Sequence, residues 1–136
     1  MSTTDTTQGV TKLYSVSVFV SDVDRAIDFY VNRLGFEARG DTPFDEGGHR
    51  WVEVAPKGSE TALVLVHGFG GWSPEQVGGE TGLIFSVDDM ASTFQTLQAK
   101  GVTFKGEPEG TPYGIFAHAA DPDGNAFTLH QDVPQT

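Results

Sequence analysis

The chain has 136 residues, no cysteine and a formal net charge of -11. Its length suits one domain with a sizeable core and is too short for two ordinary domains. The acidic balance argues against nucleic acid or an anionic membrane as a partner, because both are bound through clustered Lys and Arg side chains. The lack of cysteine excludes disulfides and thiolate metal sites, and it agrees with a cytoplasmic location. The chain contains no run of about 18 apolar residues, so no membrane-spanning helix is predicted.

The N-terminal residues 1–11 are polar and lack the basic start and apolar stretch of a secretory signal, so we predict a disordered lead there. The following residues predict a single domain over 12–132. Within it we expect a first module at 12–67, a connector at 68–80 and a second module at 81–132, and residues 133–136 form a tail.

The first module begins with a strand in which side chains alternate between two faces. The face with Tyr14 and the valines that follow it is expected to pack against a helix. Asp22 suits the N-cap of a helix of about a dozen residues, and Gly35 suits the position just beyond its end. Strands are then predicted to start at 36–39 and to run over 50–55 and 61–67. The predicted order is β-α-β-β-β.

The second module repeats this order, with a strand, a helix ending before Gly101, and strands at 102–105, 113–120 and 125–131. The sequence DPDG between the last two strands has the residues that a type I turn prefers. The connector is rich in glycine but lacks the lysine and the strand-to-helix setting of a phosphate-binding loop. Trp72 within it either folds over a pocket as a lid or covers the edge of the core.

Three segments carry a resemblance to a known family: VFVSDVDRAIDFYVNRLGF, SVDDMASTFQTLQAKGV and DPDGNAFTLHQ. Over about residues 12 to 132 the chain resembles the vicinal oxygen chelate superfamily, which contains glyoxalase I, extradiol dioxygenases and bleomycin-resistance proteins. The resemblance implies an α+β fold of paired β-α-β-β-β modules, with sheets that curl into an open cup. It also implies a homodimer.

The resemblance implies a metal site in some members, with one ligand on the first strand and one on the last strand of each module. Alignment of those positions with this chain gives Ser15, Leu65, Gly82 and Thr128. Leucine and glycine have no side-chain donor, whereas a divalent ion needs about three or four protein ligands. We therefore expect no cofactor at the usual positions.

The histidines leave a displaced metal site open as an alternative. His67 and His130 each lie two residues beyond an aligned ligand position, and the pattern predicts that they are equivalent under the pseudo-symmetry. His118 and Glu53 are predicted to point the same way. These four residues either form a displaced metal site or serve as hydrogen-bonding groups near the strand ends.

The alternation also predicts an inward-facing set of aromatic and polar side chains, which suits a planar organic molecule unless these residues simply fill the cup. Leu63, Ile84 and Ser86 are expected on the same inward face. The leading interpretation is a protein of the bleomycin-resistance type that sequesters a planar or cationic compound. The alternative is a glyoxalase-like lyase or isomerase, or a dioxygenase, with displaced metal ligands. The predicted ligand-binding residues are Ser17, Phe19, Trp51, Glu53, Leu65, His67, Trp72, Phe116, His118, Thr128 and His130.

Overall fold

The first module forms a four-stranded sheet in the computed structural model, which describes residues 9–133. The predicted lead therefore falls largely outside the described residues, as does most of the predicted tail. The strand order is β1-β4-β3-β2, and β1 runs parallel to β4 while the other pairs are antiparallel. The strands are β1 (Ser15–Phe19), β2 (Glu37–Pro43), β3 (Arg50–Ala55) and β4 (Ala62–Val66).

The second module forms a second sheet with the equivalent order β5-β9-β8-β6, in which β5 is parallel to β9. A short strand that the sequence did not predict, β7, pairs with β8 beside this path. The two open mixed sheets confirm the predicted pairing of modules in an α+β fold. The strands are β5 (Gly79–Ser86), β6 (Thr103–Phe104), β7 (Glu109–Thr111), β8 (Gly114–Ala120) and β9 (Asn125–Gln131).

The helix of the first module is α-helical only at its start. Helix α1 (Val23–Ile27) is capped by Asp22, whose Oδ1 accepts a hydrogen bond from the backbone N–H of Arg25 at 3.1 Å. It then widens into a π-helical segment (Asp28–Arg33), and the Leu34 N–H donates to the carbonyl five residues back. Gly35 ends the helix with a φ of +84°, a conformation that glycine adopts without steric penalty. The single regular helix expected from the sequence is therefore wrong for its second half.

The second module has the longer regular helix, α2 (Met90–Ala99), which is capped by the side chain of Asp89. A 3-10 helical turn (Pro74–Gln76) lies in the connector between the modules. No helix among residues 9–133 has the length and apolar character needed to cross a bilayer.

One hydrophobic core joins the helices to one side of each sheet. Phe29 packs edge-on against Phe127 of the second sheet, with ring centroids 6.3 Å apart, and Phe85 lies between Phe36 and Phe127. The core side of β1, β5 and β9 is the one predicted from alternation: Val18, Val20, Phe127 and Leu129 are buried, and Val16, Leu83, Phe85 and Val87 pack against them half-buried.

Polar contacts between the two modules form a seam, which connects the end of β1 and the first helix to the turn between β8 and β9. The Asn125 side-chain amide donates to the carbonyl of Phe19 at 2.9 Å, and Arg25 forms an ion pair with Asp123 at 2.7 Å. The turn itself has the predicted type I pattern, since the Gly124 N–H donates to the Asp121 carbonyl at 2.9 Å. The turn thus links two strands and also holds the modules together.

Candidate functional site

Each sheet has a second side that faces away from the shared core, and we call these sides the first and second outer faces. Strand pairing assigns the side chains to them, because paired residues point to the same side of a sheet. Ser17 pairs with Val64, which pairs with Glu53, and in the other sheet Ile84 pairs with Thr128, which pairs with His118. The first outer face carries Ser17, Phe19, Trp51, Glu53, Val64 and Val66; the second carries Ile84, Ser86, Phe116, His118, Thr128 and His130.

The same pairings identify the residues that are equivalent in the two modules. Glu53 corresponds to His118, since each lies opposite the middle of the last strand of its module. Val66 corresponds to His130, because Val66 pairs with Phe19 and His130 pairs with Ser86. The prediction that His67 is the equivalent of His130 is therefore wrong.

Leu63, Leu65 and His67 do not point to the first outer face as predicted. Leu65 pairs with Val18 and is fully buried in the core, and Leu63 lies on the same side. His67 follows the end of β4, and its Nδ1 lies 3.0 Å from the carbonyl oxygen of Val20. Leu63 and Leu65 lie on the core side because the residue of β4 that pairs with Ser17 and Glu53 is Val64, one position before the Leu65 that the sequence alignment gave.

Trp72 lies beside the end of β1 and is half-buried. Its Nε1 donates a hydrogen bond to the Val20 carbonyl at 2.9 Å, and its ring centroid lies 4.5 Å from that of His67.

The first outer face is centred on the carboxylate of Glu53. Its Oε2 accepts a hydrogen bond from Trp51 Nε1 at 2.8 Å and another from the Tyr14 hydroxyl at 3.1 Å. Tyr14 was expected on the helix side, but its hydroxyl reaches this face. The hydrogen bond to Glu53, followed by the charge of that carboxylate, raises the pKa of Tyr14.

Aromatic rings continue from Trp51 toward the loop after β4. The Trp51 and Phe69 ring centroids are 6.2 Å apart, and Phe69 packs edge-on against Phe44 at 4.8 Å. His49 lies beside these rings and pairs with Asp45 at 2.6 Å, and this hydrogen bond lowers the pKa of the Asp45 carboxyl. The sequence assigned no role to His49, which here orders the loop before β3.

The second outer face carries two histidines in different settings. His118 Nδ1 lies 3.0 Å from the Thr128 hydroxyl across the β8–β9 pair. His130 stacks on Phe116 with ring centroids 4.7 Å apart, and its Nε2 lies 3.1 Å from the carbonyl oxygen of Tyr113. A Cβ atom on Gly114 would clash with the Gln131 carbonyl oxygen and would lie 2.5 Å from His130 Nε2, so this position requires glycine.

A cavity of about 820 Å³ lies beside His118 on the second sheet. It is lined by the small side chains of Ala120 and Ala126 and by charged side chains from β5, from β7 and from the segment between β6 and β7. His118 is the single predicted site residue among those that line it. The sequence analysis missed the others that give the cavity its character: Glu80, Lys105, Glu107, Glu109, Ala120 and Ala126.

Comparison with known families identifies this fold. The family model described as "Glyoxalase/Bleomycin resistance protein/Dioxygenase superfamily" matches residues 12–129 of this chain. The chain belongs to this superfamily.

Solved members of the superfamily have the same architecture. The chain is 39% identical to TnmS3, an antibiotic binding protein from Streptomyces sp. CB03234, with a TM-score of 0.79 over 93% of this chain and 100% of that chain. It is 36% identical to a superfamily member from Sphaerobacter thermophilus DSM 20745, with a TM-score of 0.80 over 90% of this chain and 98% of the other. YetH of Bacillus subtilis (strain 168), an uncharacterized protein, is 33% identical over 122 residues, which are 90% of this chain and 99% of YetH.

The positions at which some superfamily members hold a metal do not carry a fitting donor set in this chain. The outward residue of β4 is Val64 rather than Leu65, and neither has a donor atom. Ser15 and Thr128 supply at most two hydroxyl oxygens and Gly82 supplies no side-chain atom, whereas protein sites for divalent ions are built mainly from imidazole, carboxylate or thiolate ligands. Among residues 9–133, no three His, Asp or Glu side chains lie close enough together to hold a metal ion. In particular, His67 lies beyond β4 against the Val20 carbonyl, whereas Glu53 lies on the first outer face.

Proposed function

We propose that the protein binds a planar or cationic small organic compound on its outer faces and sequesters it without transforming it. The observation that carries this proposal is the cavity of about 820 Å³ on the second sheet, a volume within the range of small-molecule sites. Its lining combines small apolar side chains with a few polar groups. The similarity to TnmS3, described as an antibiotic binding protein, supports the same reading.

The charge of the cavity favours a cationic ligand. Glu80, Glu107 and Glu109 lie around it with Lys105 as the opposing positive group, and the whole chain carries a formal charge of -11. Clustered charge of one sign raises the local concentration of an oppositely charged ligand. A cation with an apolar ring system therefore matches both the charged and the apolar side chains that line the cavity.

We also propose a cytoplasmic homodimer in which the outer faces are covered. Large apolar side chains on or beside both faces are exposed in the single chain, among them Trp51 at 39%, Ile84 at 63% and Tyr113 at 81%. Exposed apolar surface of this kind is typical of interaction sites. Association through these faces would place the aromatic rings of the first sheet near the cavity of the second and exclude water from it.

Fluorescence titration with a panel of planar aromatic compounds tests the proposal. The chain has two tryptophans, so Trp72→Phe leaves Trp51 as the only one, and Trp51→Phe leaves Trp72. We expect a binding compound to quench the fluorescence of the Trp72→Phe variant and to have little effect on that of Trp51→Phe.

A second variant tests the cavity itself. Ala126→Phe would fill the floor of the cavity and should abolish binding, whereas Gln95→Phe on the exposed side of α2 should leave binding unchanged. If no compound in the panel binds to the wild-type protein, the sequestration function is wrong.

Metal addition tests the alternative function of a glyoxalase-like lyase, isomerase or dioxygenase. We expect zinc, nickel, manganese and ferrous ions to leave the melting temperature unchanged, since a ligand bound by the native state alone raises it by mass action. We also expect no activity on glutathione hemithioacetals or catechols. Activity on either substrate class that requires a stoichiometric metal, and that is lost with the metal in His118→Ala and His130→Ala variants, would establish the enzyme instead.

A further inference from the structure

The carboxylate of Glu53 is held in one orientation by two donors on the same oxygen. Trp51 Nε1 and the Tyr14 hydroxyl both donate to Oε2, at 2.8 Å and 3.1 Å. Among residues 9–133, no group donates to Oε1, and no Lys, Arg or His forms an ion pair with Glu53. A carboxylate can accept about four hydrogen bonds, so this group has unused acceptor capacity in a fixed direction.

Two basic side chains of the same sheet are paired with other carboxylates. Arg50 on the same strand binds Asp41 at 2.6 Å and Asp24 at 3.0 Å. Arg39 binds Glu37 at 3.0 Å and also donates to backbone carbonyls. Among residues 9–133 Glu53 has no ion-pair partner, so it carries an unneutralised negative charge beside Trp51 and Tyr14, and this charge contributes to the raised pKa of Tyr14.

The surroundings of this carboxylate suit a cation on a flat ring. Trp51 and Tyr14 flank Glu53, and Trp51 extends toward Phe69. A planar ring can stack on these side chains while a positive N–H group on it reaches Oε1. A charge-assisted hydrogen bond of this kind is roughly twice as strong as a neutral one.

We infer that Glu53 is the residue that selects a cationic aromatic ligand, by accepting a hydrogen bond from a protonated ring nitrogen or ring amine on its free oxygen. This inference rests on the proposed function and names the charge and donor that the ligand must carry. Trp51 and Tyr14 orient the carboxylate, and Trp51 also provides the stacking surface.

Isothermal titration with two probes of similar shape tests the inference. The planar cation 9-aminoacridine should bind the wild-type protein about tenfold more tightly than neutral acridone. Glu53→Gln keeps the shape and removes the charge, so it should weaken 9-aminoacridine about tenfold and leave acridone within about twofold. Asp88→Asn removes one exposed negative charge elsewhere and should leave both affinities unchanged.

The two proposals fail in different ways. If acridone binds as tightly as 9-aminoacridine, or if Glu53→Gln leaves the affinity for 9-aminoacridine unchanged, the role of Glu53 is wrong while sequestration stands. If neither these probes nor any planar compound binds, both proposals are wrong. Equal binding of the two probes by the wild-type protein would overturn the role of Glu53 even if Glu53→Gln folds poorly.

Discussion

The hydroxyl of Tyr30 donates a hydrogen bond to Oδ2 of Asp121 at 2.9 Å, and both residues are buried. Asp121 also accepts hydrogen bonds from the backbone N–H groups of Asp123 and Asn125 and from the Asn125 side chain. Four donors thus compensate for the burial of this carboxylate, which has no cation paired with it among the described residues. The seam between the modules depends on this group being fully hydrogen-bonded.

Tyr30→Phe should lower the free energy of unfolding by about 1 to 3 kcal/mol, because it removes one donor from a buried charged acceptor. Urea unfolding at pH 7 measures this loss. Tyr113→Phe is a matched control, since Tyr113 is 81% exposed, and it should stay within about 0.5 kcal/mol of wild type. Equal stabilities of the two variants would contradict the role given to the seam.

The same hydroxyl should make stability depend on alkaline pH. Burial, followed by the charge of Asp121, raises the pKa of Tyr30 above its ordinary value of 10.0. The stabilisation that comes from this raised pKa is fully present below the unfolded-state pKa of about 10, and it is lost as the pH rises from there toward the folded pKa. We expect Tyr30→Phe to lose less stability than wild type between pH 9.5 and 11, values chosen to bracket about 10. If the free energy of unfolding falls equally with pH in the wild type and in Tyr30→Phe, then Tyr30 has the same pKa in the folded and unfolded states, and the prediction is wrong.

Truncations of two core rings should differ in their cost. Phe127→Ala should destabilise by about 3 to 5 kcal/mol, because Phe127 is fully buried between the sheets and the helices. Phe85 is half-buried, so Phe85→Ala should cost less, about 2 to 3 kcal/mol. Chemical denaturation of both variants measures the difference. A larger loss for Phe85→Ala than for Phe127→Ala would contradict this ranking.

Gly114→Ala should disturb the second outer face. A Cβ atom there would meet His130 Nε2 at 2.5 Å, and the φ of +131° is itself unfavourable for alanine. We expect a loss of about 1 to 3 kcal/mol from this overpacking, together with a shift of the His130 ring resonances in NMR spectra. Gly110→Ala is the control, because a Cβ atom at Gly110 meets nothing within 4 Å. Unchanged His130 resonances in Gly114→Ala would contradict the predicted displacement.

Sedimentation velocity at micromolar concentration should detect a dimer of the wild-type protein. Ile84→Glu places a charge on the second outer face and should yield monomers, because an unpaired charge is costly to bury in an interface. Gln95→Glu adds the same charge on the exposed side of α2 and should remain dimeric. A monomeric wild type would contradict the proposed assembly.

Sequence patterns correctly predicted the side-chain orientation of strands that have one solvent-exposed and one buried side, and they also predicted the ends of the helices. Phe127 and Leu129 alternate with polar residues, so the phase of β9 is visible in the sequence. Strand β4 reads ALVLV and is buried throughout, so nothing in its sequence marks which side each residue faces. Its phase is fixed by pairing with β1 and β3, which is why Leu65 was assigned to the wrong side.

The cavity could not be predicted for a different reason. Ala120 and Ala126 contribute to it by being small, and Glu80 and Glu109 contribute by their position at strand ends. Neither small size nor an exposed glutamate is a signal of function in a single sequence. Similarly, β7 is a short exposed strand with a central glycine, and its three residues show no alternation.

The contacts of the seam join residues that are far apart along the chain. Tyr30 and Asp121 are separated by 91 positions, and Phe19 and Asn125 by 106. During synthesis, the end of the first strand and the first helix therefore gain these partners only after nearly the whole chain has been made. Long-range closure of this kind slows folding, because loop-closure entropy is lost before the contacts form. The two halves should consequently fold and unfold as one cooperative unit rather than one after the other.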